Sequence, residues 1–103
     1  MPQISDFQGR LVRLTDERLA HILGHPEMAG FQGEIERTLS QPETVVRSRS
    51  DLAVNLCYRF YTQTPVGGKW LCVVVKYLVD DAFVLTAYLT DKIKAGDVLW
   101  PKT

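Results

Sequence analysis

Leu71-Cys72-Val73-Val74-Val75-Lys76-Tyr77-Leu78-Val79 is the most apolar run of the chain. A stretch this rich in valine predicts a strand through the middle of a sheet. Lys76 interrupts it. A bare ammonium is costly to strip of water, so this lysine must reach solvent, find a partner or meet an anionic ligand. One sheet face is therefore expected to receive something negatively charged. Strands are also predicted over 44–50, 54–64 and 82–90, with Pro65-Val66-Gly67-Gly68 and Asp80-Asp81 as turns. Upstream, Arg10 to Leu14 reads as a short strand. Thr15 is placed to cap a helix with Asp16 and Glu17 in its first turn. Its buried stripe is Leu19, Ile22 and Leu23, and it stops near Gly24, before Pro26. A second helix over 30–40 buries Phe31, Ile35 and Leu39, and Gln41-Pro42 closes it. The expected fold is α+β: two N-terminal helices packed on one face of a roughly four-stranded antiparallel meander sheet.

The 103 residues, 46% of them hydrophobic, make one domain over 1–103. Twelve basic and twelve acidic residues cancel, which excludes a long-range pull of the whole molecule on nucleic acid. The charge is nonetheless segregated. Residues 16–43 hold six carboxylates against two arginines, whereas 44–79 hold five cations against Asp51 alone. Cys57 and Cys72 fall in neighbouring strands and could approach one another, but two cysteines are no disulfide framework and cytosolic thiols stay reduced. Met1 to Asp6 lacks the basic and apolar regions of a signal peptide, and no apolar run has membrane-spanning length. The expectation is a soluble, cytoplasmic protein with no membrane partner.

Alternation along the strands assigns faces. With a two-residue loop after Pro65, Leu56, Tyr58 and Phe60 share the helix-covered face with Leu71, Val73, Val75 and Tyr77. The other face then carries Cys57, Arg59, Tyr61, Trp70, Cys72, Val74 and Lys76. Phe83, Leu85, Ala87 and Leu89 belong in the core, which sends Thr86 and Tyr88 to the Lys76 face. That assignment needs an odd-length loop or a bulge near Asp80-Asp81-Ala82. Arg47 and Arg49 share one parity, Ser48 and Ser50 the other, and the pattern leaves open which pair faces out.

Several residues are suited to chemistry. His21 and His25 are four apart, on one side of a helix end. They read as histidines stabilising the C-terminal dipole, as a general acid and base, or as zinc ligands. Against zinc, the stretch is not His-Glu-x-x-His and no third ligand is evident, so no metal and no cofactor is expected. Arg47-Ser48-Arg49-Ser50 reads either as a solvated edge or as a phosphate clamp. Lys76 and Arg59 either snorkel, with an aspartate as partner, or hold an anion. Tyr61, Tyr88 and Trp70 either pack across strands or stack bases. Together these parts suit metal-free RNA cleavage. A base would take the 2′-hydroxyl proton, an acid would protonate the leaving 5′-oxygen, and cations would hold the phosphate charge.

Four segments carry a resemblance. The first is Arg13-Leu14-Thr15-Asp16-Glu17-Arg18 through His21-Ile22-Leu23 to His25-Pro26-Glu27. Arg47-Ser48-Arg49-Ser50-Asp51 and Gly68-Lys69-Trp70-Leu71-Cys72-Val73-Val74-Val75-Lys76 follow. Phe83-Val84-Leu85-Thr86-Ala87-Tyr88-Leu89-Thr90-Asp91 through Lys94-Ala95-Gly96 to Leu99-Trp100 is the fourth. Over nearly the whole chain after Gln8, the sequence resembles small proteins of the phage-type branch of the barnase, EndoU, colicin and RelE-like nuclease fold. The resemblance implies helices followed by a four-stranded antiparallel sheet, with a metal-free, toxin-like endoribonuclease site on the open face. It points to His21, His25, Arg47, Lys76 and Thr86 as catalytic residues. Ser48, Arg49, Arg59, Tyr61 and Tyr88 join them as the RNA-binding set. RNA and an antitoxin or inhibitor protein are the implied partners. The alternative is a non-catalytic module of the same fold whose basic face holds nucleic acid or an acidic protein. A third reading is a homodimer through the open face, with Trp70, Tyr61 and Val74 as its hot spots.

Overall fold

Thr15 starts the first helix as its spacing predicts. Its backbone is extended, and its hydroxyl accepts the Arg18 N–H to cap α1 (Asp16–Leu23). In the computed structural model, which describes residues 3–102, a 3-10 turn (Pro26–Met28) and α2 (Gln32–Ser40) follow. Both helices are too short to persist alone. They are held by Ile22, Ile35 and Leu39, all fully buried against Cys57, Val73 and Val75 of the sheet.

The strands are β1 (Gln3–Ser5), β2 (Leu11–Arg13), β3 (Thr44–Arg47), β4 (Val54–Tyr61), β5 (Lys69–Tyr77), β6 (Ala82–Thr90) and β7 (Asp97–Trp100). They form one sheet in the order β1-β2-β6-β5-β4-β3-β7. The class is α+β with two α-helices, but the four-stranded antiparallel meander is corrected. The sheet has seven strands and is mixed, because β2 runs parallel to β6. The expected meander is its centre, β3 to β6. The added strands β1 and β7 are three and four residues long, too short to show an alternating pattern.

The β4–β5 register overturns half of the face assignment. Tyr61 pairs with Lys69 and Phe60 with Trp70, so the connecting loop has an odd number of residues, 62–68, rather than two. That change flips every side chain of β4. Cys57, Arg59 and Tyr61 therefore lie on the helix-covered face, and Val54, Leu56, Tyr58 and Phe60 lie opposite. The expected bulge exists, but inside β6. Val75 pairs with Val84 while Val74 pairs with Thr86, leaving Leu85 as the extra residue. Ala87 and Leu89 face the main core as expected. Phe83 crosses to the other face beside Lys76, and Leu85 packs on that side. Cys57 and Cys72 point to opposite faces and are free thiols.

The second face has a smaller core of Val46, Val54, Leu56, Tyr58 and Cys72. Residues 91–96 cross it as a strap between β6 and β7. Ile93 packs on this cluster, and the Lys94 N–H donates to the Tyr58 hydroxyl at 3.1 Å. The strap ends on Gly96, where a Cβ would stand 2.4 Å from the Arg47 carbonyl oxygen, so only glycine fits there.

At the other side of the sheet, β2 bridges β6 at a single register pair, Arg13 and Phe83. Side chains supply the remaining attachment. Arg13 grips Asp81 through two hydrogen bonds of 3.0 and 2.7 Å, and Arg10 donates to the carbonyls of Leu78 and Asp81. Asp6, a buried carboxylate, accepts the N–H groups of Gln8 and Arg10 and the Tyr77 hydroxyl at 2.6 Å. Phe7 then meets Trp100 with ring centroids 5.6 Å apart, so the two ends of the strand order close on one another. Among the described residues, no helix is long and apolar enough to cross a membrane.

Candidate nucleic-acid interface

The strap divides the second face. It covers the β3–β4 half through Ile93. The β5–β6 half stays partly open and carries Trp70, Val74, Lys76, Thr86 and Tyr88, each half-buried. These residues stand in register: Trp70 beside Thr90, Cys72 beside Tyr88, Val74 beside Thr86, and Lys76 beside Phe83. Of the expected open-face set, Lys76, Thr86 and Tyr88 are thus brought together.

Lys76 has the partner that snorkelling implies. Its ammonium lies 2.9 Å from the Asp51 carboxylate, with the two side chains 33% and 42% exposed. The Lys76 hydrogen bond, helped by the Ala53 N–H, holds the Asp51 carboxyl below its ordinary range. An ion pair this open to water is weak and exchanges readily with another anion. Burial pushes the Tyr58 phenol up to about 12 and raises the Tyr88 phenol as well, so both stay protonated donors at neutral pH. Burial likewise raises the Cys72 thiol, against the lowering influence of its tyrosine neighbours and of the nearby Lys94 charge. A buried, protonated thiol is a poor nucleophile.

The other candidates go elsewhere. Arg59 donates to the Gln41 carbonyl at 2.6 Å, fastening the end of α2 to β4. The Tyr61 hydroxyl donates to the Glu34 carbonyl, 3.2 Å away, and its ring leans on Phe31. Both are helix anchors on the covered face. Arg47 shares that face, opposite Asn55. Ser48 and Ser50 bond each other at 3.0 Å, and the Ser50 N–H reaches Ser48, so this segment is a turn with its hydroxyls occupied. Arg49 is exposed at that turn. His21 ends α1 and His25 opens the 3-10 turn; both are exposed, with near-perpendicular rings 5.8 Å apart. Their helix packs on the face opposite Lys76. No trio of metal-ligating side chains occurs among the described residues.

Phe60, Lys94 and Asp51 belong to this face but fall outside the expected set. Phe60 was hidden by the β4 parity error. Asp51 carries a local signal, since its carboxylate accepts the N–H two residues on, as turn aspartates do. Lys94 carries none, because the strap has no regular period.

The helices themselves and the second face differ in charge. The helical layer holds Asp16, Glu17, Glu27, Glu34 and Glu36 against Arg18 and Arg37. The second face and its strap hold Lys76, Lys92 and Lys94 against Asp51 and Asp91, with Asp91 paired to Lys69, and neither strap lysine has an ion-pair partner among the described residues. Comparison with protein families, with curated proteins and with solved structures returned no match. The nuclease resemblance therefore rests on the quoted residues alone.

Proposed function

We propose that the chain is a binding module for single-stranded RNA, acting through the β5–β6 half of the second face and serving a cytoplasmic RNA pool. The observation that carries this reading is the shared surface of Lys76, Thr86, Tyr88 and Lys94, backed by an acidic helical layer on the other side. Cations draw in the phosphates, hydroxyls donate to them, and half-exposed aromatic rings accept bases. A local cluster of lysines can receive an anion although the net charge of the chain is zero.

Binding is favoured over cutting on geometric grounds. Endoribonucleolysis needs an acid and a base at the phosphate that the cations hold. His21 and His25 stand across the sheet from Lys76, and the raised phenols and thiol on the second face offer no base near neutral pH. An inhibitor protein would be required only of the cutting reading.

The test is fluorescence anisotropy of a labelled single-stranded oligoribonucleotide, with gel analysis of the same RNA and no added metal. Salt-dependent binding of intact RNA is expected, and His21→Ala/His25→Ala should bind as wild type does. Removing Lys76 should lower the slope of log affinity against log salt by about 0.7, the value of one single-strand phosphate contact. Absence of binding at low salt defeats the proposal. Cleavage lost in the histidine variant would restore the nuclease reading.

A further inference from the structure

The open half of the second face has a direction. Along β5, the residues on this face are Trp70, the buried Cys72, Val74 and Lys76, and β6 sets Thr90, Tyr88, Thr86 and Phe83 beside them in turn. Successive positions on one face of a strand are about 6.7 Å apart, so Trp70 and Lys76 are separated by roughly 20 Å. One end is aromatic and the other cationic.

The aromatic end is built rigidly. Trp70 is flanked by Phe60, whose ring centroid is 5.2 Å away at 75°, and by Tyr58, 6.5 Å away at 89°. Two edge-on neighbours fix the plane of the indole. Phe60 is 40% exposed at this end. Its ring rests on Gly68, where an added Cβ would come within 3.0 Å, so the loop supports the platform from behind.

We infer that this row is an oriented track for a short single strand. One terminal base stacks on the Trp70–Phe60 platform, the Tyr88 and Thr86 hydroxyls follow the backbone, and Lys76 takes a phosphate at the far end. The inference deepens the RNA-binding reading and rests on it. A track of this length lies at the short end of the roughly 4–16 nucleotides covered by single-strand binding folds. The stacking end tolerates any base, because every base has a π-face. What the site selects is single-strandedness and direction, not sequence.

The experiment uses the wild-type protein and labelled oligoribonucleotides of one length carrying an abasic residue at the 5′ end, at the 3′ end or at neither. The expected result is a loss of about tenfold in affinity for one end only, the loss of one base–aromatic stack. Trp70→Leu should erase the difference between the two ends, with circular dichroism confirming the fold. If neither abasic end matters, or both matter equally, the track is wrong while RNA binding stands. If no RNA binds at low salt, the reading beneath it falls as well.

Discussion

The two faces of the central strands are apolar to a similar degree yet do different work. One is sealed by two amphipathic helices, so its side chains are packed on all sides. The other is crossed by a single strap and stays half open. In β5 this difference passes between adjacent residues: Val73 and Val75 are fully buried, whereas Val74 is not. A valine-rich strand signals two occupied faces, but it does not say by what. Here one occupant is the fold itself, and the other is strap plus open surface.

The largest effect should come from truncating the sealed face. Leu71→Ala removes a fully buried side chain and is expected to cost about 2–5 kcal/mol, against under about 1.5 kcal/mol for Val74→Ala on the half-open face. Urea denaturation of the two variants measures the contrast, and equal losses would mean that both faces are equally packed. Next comes the lateral tie of the sealed face. Tyr77→Phe leaves the buried Asp6 carboxylate without its side-chain donor, at a cost of about 1–3 kcal/mol.

Tyr77 also predicts an alkaline signature. Burial first, and then the hydrogen bond to Asp6, raise its phenol above the ordinary value. A group raised on folding contributes its full stability below the unfolded value, about 10 for tyrosine, and loses it as pH rises further. Stability should therefore fall above pH ~10, and less steeply in Tyr77→Phe. An unchanged alkaline slope would deny Tyr77 that role.

The smallest effect on stability belongs to the open face. Lys76→Met should barely move the denaturation midpoint at neutral pH, since its ion pair with Asp51 is open to solvent. Asp51 is lowered by that pair, so its contribution is present above the unfolded value, about 4, and is lost as pH falls through the folded one. The variant should flatten the acid limb slightly. A large loss at neutral pH would make Lys76 a structural residue rather than a ligand-facing one.

Much of the centre was legible because its signals are local. Thr15 caps α1, Ile35 and Leu39 bury α2, and the β5 valines lie mid-sheet as periodicity predicts. What was not legible depended on counting residues across loops. The odd-length 62–68 loop transfers Arg59 and Tyr61 from the open face to the helix anchors, and the Leu85 bulge moves Phe83 the other way. No residue type at those positions announces the parity of the connection. The open face was therefore half readable: Lys76, Thr86 and Tyr88 share it as alternation predicts, whereas the arginines and histidines belong to elements whose placement is decided by tertiary packing.

The meeting of Phe7 with Trp100 has a consequence for biosynthesis. The first hairpin cannot reach this partner until β7, which pairs with β3, has been synthesised. Nascent chains lacking that strand would display the outer edge of β3 and an uncovered Tyr58 cluster, the kind of surface on which incomplete chains associate. Closure of the strand order thus depends on β7, and loss of that strand alone would leave a sticky intermediate rather than a slightly smaller fold.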